Sequence, residues 1–91
     1  MSVDRIALFR ALHAALEEGR ILRGEWDGHP LTAGRVAVPG GVARWSVFRW
    51  PRAGEGQGGE PEEDDCGGMA SLARAWVGMV GVKKAAESVG L

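Results

Sequence analysis

Residues 17–31, EEGRILRGEWDGHPL, contain a helix end, the start of a sheet and a turn, and their reading decides the fold. Gly19 follows an amphipathic pattern and supplies the helix stop. From Arg20 to Trp26 the pattern alternates. Leu22, Gly24 and Trp26 fall on one face of a strand, and Ile21, Arg23 and Glu25 on the other. Asp27-Gly28 turns the chain, because both positions tolerate positive φ. His29-Pro30 lengthens that connection, so a loop longer than a two-residue hairpin is predicted, with the second strand at residues 34–38 (GRVAV).

Upstream, the spacing predicts a helix from Val3 to Glu18, capped by Ser2, with Asp4 in its positive first turn. Leu8, Leu12, Leu16, Phe9 and Ile6 share its apolar arc. Downstream, Pro39-Gly40 fits the centre of a type II turn. Residues 42–50 (VARWSVFRW) then form a strand. Ala43, Trp45 and Val47 face the core; Arg44, Ser46, Phe48 and Trp50 face the other way. Residues 52–68 contain six glycines and six acids, a composition that reads as a mobile, solvated loop. Met69, Leu72, Ala73, Trp76, Met79 and Val80 then share one helical face, with a break near Gly81 and a last turn over Lys83–Ser88. The sum is an α+β domain: an N-terminal helix, a three- to four-stranded antiparallel sheet and a C-terminal helix.

Ninety-one residues make a single domain, 1–91. The net charge of −1 argues against direct nucleic-acid binding, although residues 1–53 carry about +3 and residues 54–91 about −4. Cys66 is the only cysteine, which excludes an internal disulfide and a cysteine-based zinc cluster. No apolar run has the length of a membrane span and no signal-peptide pattern opens the chain, so a cytoplasmic protein with no membrane partner is predicted.

Two groups of residues stand out as candidate ligand contacts. In the first, Trp26 offers a stacking surface and Arg23 a guanidinium for phosphate oxygens; the plain alternative packs Trp26 beneath the first helix and leaves Arg23 in solvent. The second is Arg44, Phe48 and Trp50 on one strand face, where aromatics interleaved with arginine suit a nucleobase. A covering helix or a second subunit would explain that face equally, and exposed aromatics on so small a core predict a homo-oligomer. His13 and His29 lack metal-ligand spacing, and Ser46, Ser71 and Cys66 lack an activating motif, so neither metal, cofactor nor catalysis is predicted. The glycines of GEGQGG do not follow a strand into a helix, as a phosphate cradle requires. The acidic run 60–65 reads as a solubilising loop, or alternatively as an imitation of nucleic-acid phosphates.

The stretch FRALHAALEEGRILRGEWDGHPL (residues 9–31) resembles the opening of the type-two Thoeris anti-defence proteins, small phage proteins. Gly19, Arg20, Arg23, Trp26 and Gly28 match or conservatively match that pattern, with Asp27 in place of Asn and His29 in place of Lys. SLARAW (residues 71–76) is similar to a Leu-Leu-Ala-x-x-Trp segment near that family's C-terminus. The resemblance covers about a quarter of the chain; VARWSVFRW and the acidic stretch depart from it. It implies a non-enzymatic, oligomeric sponge for a cyclic ADP-ribose-type immune signal in the host cytoplasm, with Trp26 and Arg23 in the site. A second class of function fits the same size and uneven charge: a small inhibitor that binds a host defence protein, in the manner of an anti-CRISPR.

Overall fold

The computed structural model describes residues 3–55 and 59–91. Helix α1 spans Arg5–Glu17. Its cap is Asp4, whose carboxylate accepts the Ile6 N–H at 2.9 Å; Ser2, the cap predicted from sequence, lies outside the described residues. At the other end Gly19 takes φ +81°, and the N–H groups of Gly19 and Arg20 return to the carbonyls of Leu16 and Ala15. That closure satisfies carbonyls the helix itself leaves open and aims the chain at the sheet.

Four strands follow: β1 (Leu22–Trp26), β2 (His29–Val36), β3 (Arg44–Arg49) and β4 (Glu62–Asp65), paired antiparallel in the order β1-β2-β3-β4. The first hairpin is tighter than the sequence predicts. Trp26 pairs directly with His29, and Asp27 and Gly28 take φ +51° and +78°, the two positive angles of a type I′ turn. Pro30 does not prevent this, because its missing N–H falls on the β3 side, just past the last residue of β3. Gly40 (φ +71°), with the Gly41 N–H donating to the Val38 carbonyl, makes the predicted turn into β3.

Residues 62–65, read from composition as part of a solvated loop, form β4 instead. The strand buries nothing. It is held by its ladder to β3 and by two arginines of that strand, Arg44 to Glu63 and Arg49 to Glu62. Cross-strand opposite charges stabilise such a pair even where hydrophobicity is absent.

Helices α2 (Met69–Val80) and α3 (Val82–Ser88), separated at Gly81 (φ +88°), close the molecule. One core joins Leu8, Leu12 and Leu16 of α1 to Leu22, Leu31 and Val47 of the sheet and to Leu72 and Trp76 of α2. Ile6, placed with that arc by periodicity, is 67% exposed, because the core begins only at Leu8. Trp76 is fully buried, and its indole N–H donates to Ser88 Oγ (3.1 Å), which ties α3 down. Gly24 makes this approach possible. A Cβ there would stand 3.0 Å from both Trp76 Cζ2 and Val80 Cγ1. All three helices lie on one face of the sheet, leaving the other uncovered.

Candidate binding face

The alternation of β3 decides what the uncovered face presents. Val47 is buried beneath the helices, so Arg44, Ser46, Phe48 and, one residue past the strand, Trp50 project the other way. The register brings in residues from the neighbouring strands. Arg23 pairs with Thr32, Thr32 with Phe48, and Phe48 with Glu63, which gives one cross-strand row. The Trp50 indole N–H donates to Thr32 Oγ1 at 3.0 Å, fixing the ring beside that row.

In the adjoining row Gly34 lies opposite Ser46. With no side chain it leaves a depression, and Ile21, Thr32, Val36, Phe48, Trp50 and Pro61 form its margins. The resulting groove has a volume of about 330 Å³ and is mainly apolar. Such a groove, with a few polar groups at set positions, is how small-molecule sites are commonly built.

Arg44 is committed within the protein. Its Nε and Nη2 donate to the two carboxylate oxygens of Glu63 at 2.7 and 3.2 Å, and Ser46 Oγ donates to Glu63 Oε2 at 2.7 Å. The hydrogen bond from Arg44, then that from Ser46, holds the Glu63 carboxyl below its ordinary pKa, and Glu63 raises that of Arg44 in return. The guanidinium that the sequence offers to a ligand is thus engaged with β4. Arg23, on the same face, has no ion-pair partner among the described residues.

Of the residues singled out by sequence, Arg23, Arg44, Phe48 and Trp50 share this face. Trp26 does not. It belongs to the helix-facing side of β1 but lies beyond the helices, 43% exposed, with Arg49 Cζ 6.0 Å from its ring centroid. That distance is at the outer limit of a cation–π contact. Arg23 and Trp26, three positions apart on a strand, therefore cannot grip one ligand from one side.

Thr32, Gly34 and Val36 were missed as site residues, since their face is defined only once β2 is seen to start at His29. Arg52 was also missed. Its Nε donates to the Asp27 carbonyl and its Nη2 to Asp27 Oδ2, both at 2.9 Å, clamping the first turn from outside. Among the described residues, no three His, Cys, Asp or Glu side chains gather as metal ligands, and no helix is long and apolar enough to cross a membrane. The Cys66 thiol is pushed above its ordinary pKa, first by burial and then by the Asp64 carboxylate, which keeps it protonated at neutral pH and a poor nucleophile. Comparison of the chain with protein-family models, curated proteins and solved structures finds no match.

Proposed function

We propose that the protein is a non-enzymatic binding protein that captures a planar, nucleotide-like molecule on the uncovered sheet face. One observation carries this reading: Phe48 and Trp50 border an apolar groove of about 330 Å³, in the same face as Arg23, which has no ion-pair partner among the described residues. Stacking on such rings contributes about 1–3 kcal/mol per base and needs no general acid or base. Arg23 supplies charge-assisted hydrogen bonds to a phosphate. The resemblance to the Thoeris anti-defence proteins supports a cyclic ADP-ribose-type signal as the ligand and host immunity as the setting. In this reading Phe48, Trp50 and Arg23 hold the ligand, while Trp26 stays outside the site. The experiment is calorimetric titration with ADP-ribose-derived and cyclic nucleotides. Trp50→Ala is expected to weaken binding by about tenfold or more, and unchanged affinity in a folded variant would refute the assignment.

A second reading, inhibition of a host defence protein through the same face, is favoured by the exposure of Ile21 and Trp50 at the groove margins, at 58% and 39%. The two readings separate on native mass spectrometry of protein purified from its natural host. A retained mass of several hundred daltons supports the first, and a co-purifying polypeptide lost on Trp50→Ala supports the second.

A further inference from the structure

The two edges of the sheet, β1 and β4, differ in chemistry. β4 presents four consecutive exposed carboxylates preceded by Pro61, and a second strand of the same kind would meet repulsion there. β1 has no such protection. Its backbone directions follow from the Trp50 N–H, which donates to the Pro30 carbonyl at 2.9 Å, so Pro30 faces β3 and His29 and Leu31 face β1. Their partners Trp26 and Gly24 consequently point into the sheet. Arg23 and Glu25 turn their N–H and C=O groups outward. Beside them is an open cleft of about 650 Å³, between Arg23, Gly24 and Glu25 on one side and Lys84, Glu87 and Ser88 of α3 on the other.

We propose that this edge pairs antiparallel with the same edge of a second copy, centred on Gly24. Two-fold symmetry places residue i opposite j and j opposite i, so Arg23 of each chain meets Glu25 of the other. Arg23-Gly24-Glu25 is thus charge-complementary to itself. Moving the axis to Arg23 or to Glu25 sets like charges opposite each other, which is destabilising. In the Gly24 register the outward N–H and C=O groups of Arg23 and Glu25 exchange hydrogen bonds across the interface, with no side chain on the axis. On the helix-facing side, the exposed Trp26 comes opposite the partner's Leu22. The pairing makes one continuous sheet, with an aromatic groove from each copy on its uncovered face. In this pairing Arg23 is engaged with Glu25 of the second copy, as Arg44 is with Glu63, so in the dimer ligand capture rests on stacking against Phe48 and Trp50 and not on Arg23.

The test is sedimentation or light scattering of the purified chain across a concentration series. The wild type is expected to have the mass of two chains. Arg23→Glu alone and Glu25→Arg alone should each weaken the dimer by roughly tenfold or more, since each sets like charges opposite at both pairs. An equimolar mixture of the two variants should dimerise again, as should the double variant Arg23→Glu/Glu25→Arg. Arg23→Pro removes an outward N–H and leaves the ladder to β2 intact, so it should give a folded monomer. A monomeric wild type, a dimer indifferent to the single reversals, or single variants that fail to restore each other would each overturn the proposal.

Discussion

His29 Nδ1 lies 2.9 Å from the Trp50 carbonyl oxygen, in the place where a backbone N–H from Pro30 would otherwise donate. Pro30 and Trp50 stand opposite each other at the end of the β2–β3 ladder, and the Trp50 N–H donates to Pro30. The reciprocal bond is impossible, because proline has no N–H. A carbonyl oxygen only accepts, so Nδ1 carries the proton and the imidazole completes the ladder. The dipeptide His29-Pro30 therefore acts as a unit: one residue removes a donor and its neighbour restores it.

A coupling between the two residues follows. His29→Ala should cost about 0.5–1.5 kcal/mol, the usual net worth of one hydrogen bond. Pro30→Ala returns a backbone donor to the same carbonyl, so in that background the cost of His29→Ala should nearly vanish. Chemical denaturation of the four proteins of this double-mutant cycle measures the coupling. Additive effects would show that the imidazole does not replace the missing donor.

Gly24→Ala tests the contact between β1 and α2. The added methyl meets Trp76 and Val80 at 3.0 Å, and a buried indole latched to Ser88 yields little. Overpacking of this kind costs about 1–3 kcal/mol. Gly78→Ala is a suitable control, because nothing lies within 4 Å of a Cβ there. Thermal melting should show the first variant falling and the second holding or rising.

The ion pair at β4 sets a pH dependence. The folded-state pKa of Glu63 is lowered by Arg44 and Ser46. Its contribution to stability is therefore complete above its unfolded pKa, about 4.3, and is lost as pH falls through the lower folded value. Glu63→Gln should flatten that part of the acid limb and leave the pH dependence around neutrality unchanged. Melting temperatures of both proteins from neutral pH down through the carboxylate range provide the measurement.

Gly34→Ala tests the groove without touching its aromatics. A Cβ at this position meets its neighbours at 3.5 Å or more, so the methyl is accommodated. It raises the floor of the depression beside Phe48 and Trp50. The variant should fold with unchanged circular dichroism and lose nucleotide binding in the titration described above. Full affinity would place the ligand elsewhere.

Much of the fold was legible because it rests on local chemistry. Gly19 and Gly81 end helices for a reason visible in sequence, Pro39-Gly40 turns the chain, and the period of VARWSVFRW separates Val47 from Phe48. What stayed hidden depends on partners distant in the chain. Nothing in EEDD announces a strand until Arg49 stands opposite Glu62 and Arg44 reaches along the face to Glu63. Pro30 argues against a tight hairpin until the Trp50 carbonyl is seen to have another donor. For the same reason the site was only half legible. The aromatic face could be read from one strand, whereas the removal of Arg44 by Glu63 and the hollow at Gly34 arise only from pairing.

Strand β4 contributes no buried side chain, and this gives the molecule a weak seam. Detaching it costs a short ladder, two ion pairs and the Ser46–Glu63 hydrogen bond but almost no apolar contact, so its amides should exchange with solvent well before those of β2. Salt that screens the two ion pairs, or acid that protonates Glu63, opens this seam first. The strand uncovered in that event is β3, which carries Trp45, Val47 and Phe48 and, unlike β4, has no row of carboxylates to repel another chain. The acidic segment that composition assigns to solvent thus shields the stickiest edge in the protein, and loss of its charge exposes that edge to self-association.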